Sequence, residues 1–236
     1  MRFTIALTLL LAATPAFADE PLTVGTAGDY PPLTSYDADT TTFAGRAIDM
    51  VDAFAAAEGY TVTFVPTTWP TLMDDLIAGK FQMAAGGISR TPQRAEQALV
   101  SDPVGVTGKV ALVRCGEEGT HATLAAIDTP DTRVVTNRGG TNEQFALNEI
   151  DAAVVIIVPN NTLPFTYLLE DRADVMFTDA IEAVYKQDQG EGLCAVHPDR
   201  PYTHDDKVFL FRKDEAALRD TFNAWLARNK KGESED

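Results

Sequence analysis

The chain has 236 residues, with 19 Lys and Arg against 35 Asp and Glu, which gives a formal net charge of −16 at pH 7. This excess of acid excludes a general nucleic-acid binder that depends on phosphate contacts. The length allows a good hydrophobic core and suits one large domain or two lobes of roughly 100 residues each.

The first 18 residues have the pattern of a cleavable export signal. Arg2 precedes an apolar run at residues 5–13, and residues 16–18 (AFA) form the small-x-small pattern that signal peptidase cuts. The run is too short to span a bilayer, and no later segment approaches the roughly 20 apolar residues of a transmembrane helix. We predict an exported protein without stable membrane insertion, whose mature chain begins at Asp19.

Short β-rich runs alternate with helical patterns along the chain, which is typical of an α/β fold with mostly parallel strands. In the first half, the predicted strands are residues 22–27, 61–66 and 81–85. Apolar residues at helical spacing from Ala47 to Phe54 predict an amphipathic helix that ends near Gly59. Residues 71–78 predict a second helix, which ends at Gly79.

The alternation restarts after a crossing segment at residues 109–115. The predicted strands are then residues 133–137, 154–159, 173–179 and 193–198, and the predicted helices are 141–150, 162–171 and 179–187. A last strand and helix, at 207–211 and 215–228, fit best back on the first unit. We therefore predict two βαβ lobes joined by two crossings, with a ligand cleft between them. Their predicted bounds are 19–112 with 199–236 for the first lobe and 113–198 for the second.

The two cysteines and three histidines bear on disulfides and metals. Cys115 and Cys194 are an even count in an exported chain, which favours a disulfide over two unpaired buried thiols. His121, His197 and His204 are dispersed, and neither cysteine has a CxxC partner. We therefore predict no metal site.

Four predicted loops follow the carboxyl ends of strands, where open α/β sheets bind ligands. They are GDYPPL at 28–33, TTWPTL at 67–72, GGISRTPQR at 86–94 and NRGGTNEQ at 137–144. In the third loop, Ser89 offers a hydroxyl and Arg94 a guanidinium fork that fits a carboxylate. The alternative is that Thr91 and Pro92 only start a helix on which Arg94 is solvated.

The other loops also admit two interpretations. Thr141 or Asn142 caps a helix, or the free amides there hold an anion. Tyr30 and Trp69 either face a planar ligand ring or simply close over their loops. The stretch MFTDAIEAVY at residues 176–185 places Glu182 three residues after Asp179, as in a capping box, so local sequence favours a structural Glu182.

Six segments, taken together and in order, resemble a known family. They are AGDYPPL, TTWPTLM, GGISRTPQR, GGTNEQFA, ADVMFTDAIEA and GLCAVHP. They resemble type 2 periplasmic solute-binding proteins of the polar amino-acid class and, more closely, the cyclohexadienyl dehydratases that share this fold. The resemblance implies a periplasmic protein. By matching positions it also implies that Arg94, with Ser89 and Thr141, holds a ligand carboxylate, and that Asp179 meets a ligand amine.

The dehydratase branch of this resemblance implies a catalytic site. Glu182 matches the general acid, and Asn142 and Lys109 match residues that help to hold the substrate. The remaining substrate-binding candidates are Tyr30, Trp69 and Asp29. One physical conflict arises, because the N-terminus of a helix favours a carboxylate whereas a general acid must keep its proton. A doubly anionic substrate in a closed, dry cleft would raise the pKa of Glu182 again.

The resemblance implies loss of CO2 and water from prephenate or arogenate, giving phenylpyruvate or phenylalanine. Aromatisation drives this reaction, so we expect no cofactor. The alternative is a non-catalytic receptor that delivers an amino acid or related carboxylate to the permease of an ABC transporter. A sensory binding module is a weaker alternative. The sequence leaves homo-oligomerisation and the choice between prephenate and arogenate open.

Overall fold

The computed structural model describes residues 20–230, so the predicted export signal lies outside the described residues. The strands are β1 (Glu20–Thr26), β2 (Asp29–Tyr30), β3 (Thr34–Asp37), β4 (Thr42–Ala44), β5 (Tyr60–Pro66), β6 (Met83–Ser89), β7 (Leu99–Val100), β8 (Gly105–Thr107), β9 (Lys109–Arg114), β10 (Arg133–Asn137), β11 (Val154–Val158), β12 (Val175–Asp179), β13 (Leu193–Val196) and β14 (Asp205–Phe211). The helices are α1 (Arg46–Glu58), α2 (Leu72–Ile77), α3 (Pro92–Gln97), α4 (Leu124–Ile127), α5 (Thr141–Glu149), α6 (Leu163–Leu169), α7 (Ala180–Asp188) and α8 (Ala216–Lys230). Within residues 20–230, no helix has the length and apolar character needed to cross a bilayer.

The first lobe is built on a sheet with the order β5-β1-β6-β14-β7, in which β8 also pairs with β14. Because side chains alternate across a strand, the sheet has two apolar faces. One face packs Phe209 and Phe211 with Phe54 of α1 and Phe222 of α8. The other packs residues of α2 against the same central strands.

The second lobe is built on a sheet with the order β11-β10-β12-β9-β13. Its two faces are also apolar, with Val110 and Leu112 of β9 in one cluster and Ala111 and Val113 in the other. A small third sheet, β2-β3-β4, forms in the stretch that includes the predicted GDYPPL loop. These two lobes confirm the predicted fold class.

Within residues 20–230, each of the two large sheets is mixed but has only one strand that runs against the others, so the prediction of mostly parallel strands is confirmed. In the first sheet β1 runs parallel to β5 and β6, but β14 is antiparallel to β6. In the second, β10 runs parallel to β11 and β12, but β9 is antiparallel to β12. Strands β9 and β14 are those that follow the two crossings. They enter their sheets where the parallel strands end, and therefore run in the opposite direction.

This reversed entry brings the start of each crossing strand beside the end of a parallel strand. Lys109, the first residue of β9, pairs with Asp179, the last residue of β12. Lys207 of β14 pairs with Ser89, the last residue of β6. The predicted lobe bounds stay a prediction. The pairing of all of β9 in the second sheet favours a first crossing before Lys109 rather than after residue 112.

Strand β6 extends four residues past the predicted end at residue 85, through the first half of the predicted GGISRTPQR loop. Gly87 adopts a φ of 83°, and a Cβ there would lie 2.3 Å from the Tyr30 ring. Glycine therefore lets the strand continue while a large aromatic ring packs directly against its backbone. The β6–β14 ladder adjusts with a register shift between Val208 and Leu210.

The structure confirms the predicted disulfide between Cys115 and Cys194. Cys115 follows β9, and Cys194 lies on the neighbouring edge strand β13. The two cysteines are 79 residues apart, so the bond closes most of the second lobe into one loop. It joins strands whose sequence positions alone do not indicate that they are adjacent.

Candidate active site

A small cavity lies where the carboxyl ends of β6, β10 and β12 meet the start of β14. It is lined by Tyr30, Trp69, Gly87, Ser89, Arg94, Asn137, Gly140, Thr141, Asn142, Asn161, Asp179 and Lys207. Its volume of about 20 Å³ accommodates roughly one water molecule. Residues of both lobes form its wall, and a ligand larger than water needs more room than this cavity offers.

Asp179 is the central anion of this site and is only 3 % exposed. Lys109 Nζ lies 3.0 Å from its Oδ1, and Lys207 Nζ lies 2.5 Å from its Oδ2. The Tyr30 hydroxyl also donates to Oδ2. Burial opposes ionisation, but the charges of Lys109 and Lys207 outweigh it and hold the pKa of Asp179 far below its ordinary value. Asp179 is therefore a carboxylate with both oxygens occupied.

The predicted capping box at the start of α7 is wrong. Asp179 occupies the N-cap position, but its side chain makes no capping hydrogen bond. Its oxygens bond instead to the two lysines and Tyr30, and the Glu182 carboxyl accepts from the side chains of Asn161 and Thr178. The predicted cap at Thr141 or Asn142 is also wrong, because Gly140 is the N-cap of α5 and no side chain caps that helix.

Asn142 connects the lysine pair to the other amides of the site. Lys109 Nζ donates to Asn142 Oδ1 at 2.5 Å. Asn142 Nδ2 donates in turn to Asn137 Oδ1 at 3.1 Å and to Asn161 Oδ1 at 3.4 Å. Since Lys109 bonds to both Asn142 and Asp179, its ammonium group is held in a fixed position.

Glu182 is completely buried, in the first turn of α7. Asn161 Nδ2 donates to its Oε1 at 2.7 Å, and Thr178 Oγ1 donates to its Oε2 at 2.5 Å. Asn161 lines the cavity, whereas Glu182 is not among the lining residues. The carboxyl group therefore lies one hydrogen bond behind the cavity wall.

Burial favours the protonated form of Glu182. Removal from water raises the pKa of this carboxyl well above 4.5, and the negative charges of Asp179 and Asp29 raise it further. The hydrogen bond from Thr178 lowers the pKa, but by less than burial raises it. The helix N-terminus and the Lys109 charge favour the carboxylate, but they do not offset burial. The pKa of Glu182 is therefore raised by the protein itself, without any contribution from a substrate.

Arg94 is buried beside the cavity, so the interpretation as a solvated helix residue is wrong. Thr91 caps α3 by accepting from the Arg94 backbone N–H at 3.2 Å, and Pro92 begins that helix. Arg94 Nη1 donates to the Ser89 carbonyl at 2.7 Å. Burial lowers the pKa of Arg94 to about 10, so it stays a cation at neutral pH. Among residues 20–230, no carboxylate forms an ion pair with it.

Two aromatic rings and Asp29 form another part of the site. Trp69 Nε1 donates to Asp29 Oδ1 at 2.8 Å, and the Asn161 backbone N–H donates to Oδ2 at 3.1 Å. The Trp69 and Tyr30 rings meet edge to face with centroids 5.9 Å apart. Burial raises the pKa of Asp29. Asp29 thus links the two lobes by binding Asn161 of the second.

All ten sequence-predicted site residues other than the cysteines lie in or against this cavity, whereas their roles stay predictions. The sequence patterns did not predict four further site residues, Lys207, Asn161, Asn137 and Thr178. Lys207 carried a signal, because it opens the apolar strand KVFLF at a position of the same parity as Phe209 and Phe211. Asn161 follows β11, whose carboxyl end lies at the same edge of the second sheet as those of β10 and β12.

Metal ligands are sparse in the part of the chain that the structure describes. It contains no group of three or more His, Cys, Asp or Glu side chains placed to hold a metal ion. Arg94, Lys109 and Lys207 instead provide three cationic groups around the ionised Asp179. Such a site suits a small molecule with more than one carboxylate.

Two α/β lobes with crossing strands and a cleft between them define the class of type 2 periplasmic binding folds. The family of bacterial extracellular solute-binding proteins, family 3, matches residues 22–235, and the chain belongs to this family. The chain is 39% identical to cyclohexadienyl dehydratase of Pseudomonas aeruginosa PAO1 over 205 residues, which cover 87% of this chain and 76% of that protein. It is 23% identical to the L-cystine-binding protein TcyJ of Escherichia coli K12 over 211 residues, or 89% of this chain and 78% of that one.

Solved structures show the same fold. The ancestral amino acid-binding protein AncCDT-1, described as a precursor of cyclohexadienyl dehydratase, superposes with a TM-score of 0.82 at 32% identity, covering 89% of this chain and 90% of that one. The holo form of ArgBP from T. maritima superposes with a TM-score of 0.80 at 22% identity and the same coverage. The family thus includes non-catalytic binding proteins as well as an enzyme.

Proposed function

We propose that the protein is a cyclohexadienyl dehydratase, a carbon–oxygen lyase that converts prephenate to phenylpyruvate or arogenate to phenylalanine. The observation that carries this proposal is the buried Glu182, whose raised pKa favours the protonated form one hydrogen bond behind a cationic cavity. The likeness to the Pseudomonas aeruginosa dehydratase supports the same reaction. A receptor that only binds solute has no need for a buried acid of this kind.

The charges around the cavity suit the proposed substrates. Prephenate carries one carboxylate on the ring and one on the side chain. Arg94 is the group best placed for one of them, because it makes no ion pair among the described residues and its guanidinium can bind two oxygens. Lys109 and Lys207 carry two positive charges against the single negative charge of Asp179. The excess positive charge attracts the second carboxylate. Tyr30 and Trp69 supply apolar surface for the ring.

In the proposed reaction Glu182 protonates the departing ring hydroxyl. The carbon–oxygen bond breaks with release of water, and the electrons of the ring carbon–carboxylate bond enter the ring as CO2 leaves. Aromatisation makes the reaction favourable, and Glu182 recovers a proton from solvent. A positioned general acid typically accelerates such a step by roughly 10² to 10⁴. Because Asn161 lies between Glu182 and the cavity, the proposal requires this amide to shift when substrate binds.

The proposal places the protein in the periplasm after cleavage of the predicted export signal. It requires no cofactor and leaves the oligomeric state open. The second candidate is a receptor for an amino acid or related carboxylate that feeds an ABC permease. The observation in its favour is that Arg94 and Asp179 lie at one cavity, since together they can bind the carboxylate and the amine of an amino acid.

Replacement of Glu182 by Gln tests the mechanism. The amide has nearly the same shape and keeps hydrogen-bonding groups for Asn161 and Thr178, but it cannot donate the proton. We expect the variant to keep its fold, measured by circular dichroism, and to lose at least roughly 10²-fold in kcat with prephenate. Glu149→Gln, at an exposed position of α5, is the matched control. Undiminished turnover by Glu182→Gln would remove Glu182 from the mechanism.

A further inference from the structure

Lys207 is a buried cation of the cavity wall that the proposed mechanism uses only as a source of charge. It is 5 % exposed and lines the cavity. Its Nζ lies 2.5 Å from Asp179 Oδ2 and 2.7 Å from Ser89 Oγ, and 5.6 Å from the centroid of the Tyr30 ring. The Lys207 ammonium group therefore contacts the Asp179 carboxylate at the wall of the cavity.

The position matters because Asp179 is the only ionised acid among the residues that line the cavity. A ligand with a 2-amino group would need this carboxylate for its ammonium. Oδ1 already accepts from Lys109, and Oδ2 already accepts from Lys207 and Tyr30. The ligand ammonium would therefore have to displace a donor and approach two positive charges.

One lysine would suffice to balance the single charge of Asp179. Lys109 does so from β9 and is held by Asn142 as well. The second ammonium, from Lys207, leaves the three groups with a net positive charge. This excess repels a ligand ammonium but favours a keto oxygen, which can accept a hydrogen bond from an ammonium group.

We propose that Lys207 makes the cavity selective for 2-oxo acids over the corresponding 2-amino acids. Lys207 acts here as a specificity-determining residue, by occupying the Asp179 oxygen that an amino acid would need and by offering a donor to a keto group. That the preferred 2-oxo acid has an aromatic skeleton is taken from the proposed function. In the proposed dehydratase reaction, prephenate is then preferred over arogenate as the substrate.

Binding of two unreactive ligands tests this inference separately from catalysis. Phenylpyruvate and L-phenylalanine differ at the 2-position in carrying a keto or an ammonium group. Isothermal titration calorimetry of the wild-type protein at pH 7 should give a Kd at least tenfold lower for phenylpyruvate. In Lys207→Met the ratio of the Kd for L-phenylalanine to the Kd for phenylpyruvate should fall at least tenfold. Lys207→Arg should keep most of the wild-type ratio. Lys213→Met, at an exposed lysine, should leave the ratio unchanged.

Several results would overturn the inference. One is tighter or equal binding of L-phenylalanine by the wild-type protein, which decides the matter even if Lys207→Met does not fold. Another is an equal loss of both affinities in Lys207→Met, which would show a structural role alone. Absence of phenylpyruvate binding also contradicts it. If the wild-type protein prefers phenylpyruvate but does not convert prephenate, the dehydratase proposal fails and the selectivity stands.

Discussion

Replacing Glu182 with Gln also tests whether this carboxyl keeps its proton in the folded protein. Burial raises the pKa of Glu182 well above 4.5, so above pH 4.5 the folded state binds a proton that the unfolded state releases. The stability that protonated Glu182 provides is complete below pH 4.5 and is lost as the pH rises towards the folded-state pKa. Glutamine does not titrate and does not show this loss.

The expected size of the effect follows from the linkage of one proton. While Glu182 stays protonated in the folded state, each pH unit above 4.5 costs the wild-type protein roughly 1.4 kcal/mol relative to the variant. The difference should therefore increase from pH 4.5 to pH 6.5, beyond any offset seen at low pH. Even one such step is a large share of the 5–15 kcal/mol typical of total stability.

Urea unfolding of both proteins at pH 4.5, 5.5 and 6.5 measures this difference. With each increase in pH, the free energy of unfolding of Glu182→Gln should increase relative to that of the wild-type protein. The m-values of the two proteins should be equal. Glu149→Gln, in which an exposed carboxyl is replaced, should follow the wild-type curve. If the difference between Glu182→Gln and wild type is the same at all three values, Glu182 is ionised in the folded protein and is not poised as an acid.

Two further predictions concern the anion site and the disulfide. Arg94→Lys should raise the KM for prephenate roughly 10- to 100-fold, because lysine keeps the charge but cannot bind two carboxylate oxygens; steady-state kinetics at fixed pH measure this, and an unchanged KM would exclude Arg94 as a carboxylate ligand. Replacing Cys115 and Cys194 together by Ser should lower the free energy of unfolding by about 4 kcal/mol, since the bond closes a loop of 79 residues. Urea unfolding checks this value, and a loss below about 1 kcal/mol would contradict it.

The sequence predicts most elements because their periodicity agrees with their final environment. Helix α1 has apolar residues at helical spacing and ends before Gly59, which adopts the left-handed conformation typical of such a stop. Strands β1, β5, β10 and β11 coincide closely with their predicted runs. The continuation of β6 through two glycines was missed, because glycine ordinarily indicates a turn and its partner strand β14 is more than a hundred residues away.

The candidate site was predicted by residue type and loop position, but its electrostatics were not. The spacing of Asp179 and Glu182 also fits a capping box, and only the tertiary contacts show that neither side chain caps α7. Lys207 comes beside Asp179 because β14 returns to the first sheet in the reversed direction. No local pattern in the sequence reports such a contact.

The central claim is that this protein eliminates water and CO2 from prephenate. The most direct measurement is to incubate the purified wild-type protein with prephenate and follow the absorbance of phenylpyruvate, with Glu182→Gln in parallel. We expect steady formation of phenylpyruvate by the wild-type protein and at least a roughly 10²-fold slower rate with the variant. No product from the wild-type protein, together with tight binding of an unreacted amino acid, would contradict the account and favour the receptor.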